Sequence, residues 1–267
     1  MNPLRAYAIA LRYFYLLKGS AARLLPLFSW VAIDIVLWGF ISDYLNTVAT
    51  PGFNFVHGLL GAVLLWDFFT RVMQGVTMVF FEDVWSRNFL NVFASPLTLG
   101  EYVAGLVLSS IASSAIGLAV MLVLASAAFG LSFAAYGALF VPYLGVLFLF
   151  GIAIGVFGCA LVLRLGPASE WFVWPIPALL SPFAGVFYPL STLPSWMQAV
   201  ARLLPPSYVF EGMRALVSGG ESSVMPLVWG TGLALLYILL ACAFFSRVFR
   251  GAVRTGLLAR YSAESVS

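Results

Sequence analysis

The chain has 267 residues, of which 63% are hydrophobic, 16% aromatic and only 9% charged. Such a balance excludes a disordered chain and leaves too little charge to cover a water-facing globule. With a mean hydropathy of +1.04 it reads as an all-α, polytopic membrane protein, and a net charge of +3 implies no nucleic-acid partner.

At the N-terminus, Leu4, Tyr7, Ala8, Leu11, Phe14 and Tyr15 recur at helical spacing, with Arg5 and Arg12 on the opposite face. The pattern predicts an amphipathic helix within 1–23 lying on the membrane surface, Arg12 and Lys18 near anionic head groups. A helix docked on a soluble partner is the alternative. Arg5, Arg12, Lys18 and Arg23 interrupt any apolar signal region, so a cleavable signal is not expected.

A helix needs ~20 apolar residues to cross a hydrocarbon core of ~30 Å. Six stretches meet or approach this: 24–42, 55–81, 102–129, 138–163, 171–187 and 225–245. Between Tyr102 and Leu163 no Asp, Glu, Lys, Arg or His occurs. That is too long for one span and suits two, turning at 130–137. No internal repeat is visible, which argues against an inverted-repeat carrier. With six spans both termini share a side. Placing them inside gives the cytoplasm Arg5, Arg12, Lys18, Arg23, Arg87, Arg164, Arg247, Arg250, Arg254 and Arg260, against Arg202 and Arg214 outside. The basic-residue rule therefore puts both termini, including the tail 247–267, in the cytoplasm.

Two connecting segments carry more information. In the cytoplasmic loop 82–101, Trp85, Phe89, Val92 and Phe93 fall on one helical face and Arg87, Asn88 and Asn91 on another, before Ser95-Pro96 stops the helix. A short amphipathic helix of this kind can dock into a groove on another protein. After the fifth stretch, Pro175, Pro177, Pro182, Pro189 and Pro194 forbid one straight helix. Trp196, Val200 and Leu203 then form a stripe. A second short helix carries Tyr208, Glu211 and Arg214, the last two at the i,i+3 spacing of an ion pair. Two short helices entering from outside within 188–220 and turning back are the economical reading.

Ionisable residues inside spans are functional candidates. Asp34 in the first span and Arg71 in the second fall at equal depth, and Asp67 lies one turn from Arg71 on its face. A cluster of Asp34, Arg71 and Asp67 tying the two spans together is expected, serving structure, substrate passage or a conformational lock. The single histidine, His57, fits an exposed anchor near the outer interface, and no metal site is expected with so few ligands. Phe53, Phe55, Trp66, Trp171, Trp174, Tyr188, Trp196 and Trp229 fit interface belts and core. Cys159 and Cys242 lie in apolar runs and read as small core residues.

Arg87-Asn88-Phe89-Leu90 with Ser95-Pro96-Leu97 and Glu101-Tyr102, then Tyr188-Pro189-Leu190 with Leu193-Pro194-Ser195-Trp196, then Pro205-Pro206-Ser207-Tyr208 with Glu211-Gly212-Met213-Arg214, stand in a telling order and spacing. In these pieces the chain resembles the membrane subunit of ABC type-2 exporters, the six-span permease family, over almost its whole length 1–267. The resemblance implies that the helix around Trp85, Arg87, Asn88, Phe89, Val92 and Phe93 couples to a nucleotide-binding subunit. It also implies that the segment around Trp196, Tyr208, Glu211 and Arg214 forms external re-entrant helices, and that the permease works as a dimer in a bacterial inner membrane. A P-loop needs Gly-Lys-Ser/Thr, whereas the single lysine, Lys18, stands between Leu17 and Gly19. ATP and Mg²⁺ would therefore be bound by a separate ATPase, two copies per complex, and no catalytic residue or cofactor is assigned to this chain. The expected cargo is an amphipathic or hydrophobic compound such as a drug, a lipid or a lipid-linked glycan.

An ion-coupled carrier or channel using Asp34, Asp67 and Arg71 is the alternative, against which the long coupling loop counts. A membrane-embedded aspartyl protease would need Asp34 and Asp67 to share a proton. Arg71 beside them opposes that, and one histidine leaves little for other catalysis.

Overall fold

The computed structural model describes residues 2–48, 56–132, 137–217 and 224–256, with only the backbone at 21–24, 26–28, 56–57 and 90. Phe53, Phe55, the His57 side chain and the far end of the tail lie outside the described residues. Helix is the one regular structure among those described: α1 (Pro3–Lys18), α2 (Ala21–Val48), α3 (Gly61–Trp85), α4 (Phe89–Ala94), α5 (Leu99–Phe129), α6 (Phe140–Leu165), α7 (Glu170–Val173), α8 (Ile176–Ala184), α9 (Ser195–Ala201), α10 (Pro205–Val217) and α11 (Met225–Thr255).

Among the described residues, five helices are long and apolar enough to cross a membrane, over Ser29–Val48, Gly58–Trp85, Leu99–Phe129, Phe140–Leu165 and Met225–Thr255. They match five of the expected stretches and overrun several by a turn or more. An α-helix rises ~1.5 Å per residue, so the 31 residues of α5 reach well beyond ~30 Å of hydrocarbon. The stretch at 171–187 departs from expectation. It folds as α7 and α8, because Pro175 caps α8, Pro177 opens it and Pro182 lies inside it. Each missing N–H and ring clash interrupts the ladder, and neither piece is long enough to span alone.

The centre of the body is α3 packed along α6, flanked by α5 and α11. Small residues set the spacing. A Cβ at Gly151 would stand 2.8 Å from the Val72 side chain, and one at Gly155 2.7 Å from that of Val76. Both pairs are four residues apart on their helices, so the two backbones run close side by side, as small residues permit in membranes. On the adjacent side of α3, toward α5, Gly75 meets the Ser110 backbone and the Ser110 hydroxyl donates to the Val72 carbonyl at 2.8 Å. Ile33, Leu37, Phe40 and Tyr44 of α2, and Leu235 and Leu239 of α11, point outward. Such apolar outer faces suit lipid as solvent. Replacing Gly155 with Leu should push α3 and α6 apart and cost about 1–3 kcal/mol, read as a lower unfolding temperature in detergent.

Candidate functional site

The foot, the segment from Ser86 to Thr98, begins where α3 ends. Asn88 N–H donates to the Asp83 carbonyl and Arg87 N–H to that of Val84, the paired bonds of a helix C-terminal motif that needs a left-handed residue. Arg87 supplies it, with φ 54°, where glycine would be the easy choice. Two residues later α4 starts. Its stripe turns inward: Phe89 is fully buried and Val92 nearly so. The Phe89 ring meets Phe80 of α3 at 5.4 Å, and Phe93 meets Tyr102 of α5 at 5.0 Å and Phe249 of α11 at 4.7 Å. The apolar stripe is therefore occupied by this chain's own helices and is not a free docking face. What faces outward is Arg87, Asn91, Ala94 and Ser95, with Asn88 half-buried and accepting from Asn91 at 3.0 Å. Trp85 is partly exposed and donates from Nε1 to Glu170 at 2.7 Å, tying the end of α3 to the start of α7. A left-handed non-glycine residue costs roughly 1 kcal/mol, so Arg87→Gly should raise thermal stability by about that much while removing an outward charge.

Beneath the foot, α1 is latched to the body. Ala6, Ile9 and Tyr13 are buried, and Gly105 of α5 admits Ile9 so closely that a Cβ there would stand 2.6 Å away. Asn2 N–H and Thr98 N–H both donate to Glu101, at 2.6 and 2.9 Å, and Arg5 lies 3.5 Å from the same carboxylate. Arg12 forms an ion pair with Asp83, which also accepts from the Tyr102 hydroxyl at 2.8 Å. Asp83 is 2% exposed. Arg12 thus serves a buried carboxylate, where the sequence predicts a head-group contact. The stripe Leu4, Tyr7, Phe14 and Tyr15 does face outward, as a surface helix requires. The sequence predicts a loop at Asp83 and no latch. One signal was present, because Asp83 continues the Val72, Val76 and Val79 register on the buried face of α3.

Asp34, Asp67 and Arg71 line one cavity of about 580 Å³ between α1, α2 and α3, which Trp174 also lines. Along α3 it runs from Asp67 to Trp85, ~27 Å at helical rise. Arg71 is within electrostatic reach of both carboxylates. The expected tight cluster does not close, however: among the described residues no ion pair joins the three. The Arg71 stem instead lies over Gly117 of α5, where a Cβ would stand 2.9 Å from its Cδ. Asp67 Oδ2 and Arg71 Nε are buried without a hydrogen-bond partner.

At the far end, Glu211 and Arg214 pair at 2.8 Å. Glu211 also accepts from Leu190 N–H at 2.8 Å, and Arg214 donates to the Gly185 carbonyl at 2.7 Å. These bonds fasten α10 to the chain leaving α8. Tyr208 donates to the Arg202 carbonyl at 2.9 Å, and Gly212 lies against the Tyr143 ring of α6. Trp196, Val200 and Leu203 of the α9 region face outward. The segment is thus two short helices, of 7 and 13 residues, neither able to cross a bilayer.

A family model described as ABC-2 type transporter matches residues 15–217, which includes the foot, the cavity and the far-end helices. No curated protein matches the chain.

Proposed function

Because this chain belongs to the ABC-2 type transporter family, a multi-pass membrane permease that partners an ABC ATPase and is not itself the ATPase, we propose that it exports an amphipathic or hydrophobic compound from a bacterial inner membrane. It acts as a homodimer on two ATPase subunits, which bind ATP and Mg²⁺. The observation that carries this reading is the foot. Its aromatic stripe is clamped to α3, α5 and α11, and its polar side is presented outward. A displacement applied at Arg87 and Asn91 therefore reaches three long helices at once through packed rings, which deform little. Nucleotide-driven closure of the ATPases would bias the permease between two packings by differential binding.

Six crossings, both termini cytoplasmic, are supported by the ends of the helices. The Trp85–Glu170 bond puts the start of α7 on the side of the foot, and Phe93–Phe249 puts the C-terminal end of α11 there too. Gly185 is bonded to α10, which packs on Tyr143 at the opposite end of α6. The broken pair α7–α8 then supplies the return crossing, with α9 and α10 as the external re-entrant helices. Proline-broken helix at membrane depth is tolerable when protein covers it. The test is copurification: a tagged permease should bring down a P-loop ATPase, and Arg87→Glu with Asn91→Glu should reduce its recovery at least ~10-fold without lowering thermal stability. Full recovery in that variant would remove the docking assignment.

A further inference from the structure

We propose that the cavity between α2 and α3 binds a singly charged cationic amphiphile, an ammonium head on an apolar tail, which names a cargo class for the export reading and rests on it. At the Asp67 end of the cavity, two carboxylates, Asp34 and Asp67, and one guanidinium, Arg71, leave one formal negative charge, while Glu82 lines the cavity ~16 Å beyond Arg71 along α3. The three do not neutralise one another by contact, because Arg71 is drawn aside over Gly117. One Asp67 oxygen is left buried without a donor. Such a group is costly unless something supplies the missing proton or charge. A monocation brings the set to neutrality, whereas an anion adds repulsion and a neutral head leaves the carboxylate unpaired.

The walls fit the same ligand. Trp30, Trp174 and Tyr13 border the cavity, and aromatic faces attract ammonium groups. Val31 and Met78 give apolar surface for a tail. A volume of about 580 Å³ is that of a small-molecule site.

The experiment uses the full chain in nanodiscs of zwitterionic lipid and three probes with one twelve-carbon tail: dodecyltrimethylammonium, dodecyl sulfate and dodecyl maltoside. Binding is read by scintillation proximity with radiolabelled dodecyltrimethylammonium and competition by the others, empty nanodiscs subtracted. The cation should bind saturably and at least ~10-fold more tightly than either competitor, and Asp67→Asn should weaken it at least ~10-fold. Arg71→Gln, which adds one net negative charge, should hold or strengthen cation binding. Equal competition by all three probes on the unaltered protein would overturn the proposal, as would unchanged cation affinity in Asp67→Asn. The first comparison needs no variant to fold. ATPase copurification is scored separately on the same preparations. Indifference to charge with the ATPase retained removes the cation site alone. Selectivity for the cation without any ATPase removes the export reading and leaves the site.

Discussion

Phe89→Ala is expected to destabilise the permease by about 3–5 kcal/mol, a loss of many degrees in a thermal melt, because its ring is fully buried among Phe80, Phe93 and Tyr102. A side chain that docked directly on a soluble ATPase would instead be exposed in the isolated permease, and its removal would leave the melt unchanged. The two assignments of one residue thus give opposite results in one measurement. Phe89→Leu, which keeps most of the apolar volume, should recover much of the loss. Because α4 is only six residues long, it has no stability of its own. Its position depends on Phe89, Val92 and Phe93 gripping the body. Loss of Phe89 should therefore uncouple the foot as well, so any ATPase that remains bound should respond weakly to events in the membrane.

Breaking the latch is expected to have a comparable effect. Arg12→Met leaves Asp83, 2% exposed, with the Tyr102 hydroxyl as its remaining partner among the described residues. Removing one member of a buried ion pair typically costs 3–5 kcal/mol; Arg12 is partly exposed, so about 2–4 kcal/mol is expected here. The signature is the double variant. Arg12→Met with Asp83→Asn removes both charges and should be more stable than Arg12→Met alone, by at least ~1 kcal/mol in a mutant cycle. Lys18→Met serves as the control, since the structure gives Lys18 no ion pair among the described residues and the same charge is lost from the same helix. If all three variants melted together, the latch would carry no load.

The latch also explains how much the sequence disclosed. Apolar length alone located α2, α3, α5, α6 and α11, since crossing hydrocarbon forces every backbone group into a helix. It could not fix their ends. Asp83 and Trp85 follow the apolar run yet remain helical, because the last turn of α3 is held by α1 and α7. The stripe Trp85, Phe89, Val92 and Phe93 was legible as an apolar face. Periodicity shows that such a face is buried and is silent on what buries it, and here the answer is the chain itself. The Glu211–Arg214 pair was readable because i,i+3 geometry is local. Asp34, Asp67 and Arg71 are expected together from the sequence, and all three line one cavity. Their failure to close into an ion pair follows from Gly117, on a third helix, whose missing Cβ gives the Arg71 stem another place to lie. Long-range choices of that kind leave no local trace.

The outward side of the foot is where the energy of ATP is expected to arrive, and photo-crosslinking in cells tests this. With a benzophenone amino acid at position 91, irradiation should yield one dominant adduct whose second component is a P-loop ATPase, and the same group at position 196 should not. Adducts at 91 with lipid alone, or with proteins of the outer face, would contradict it.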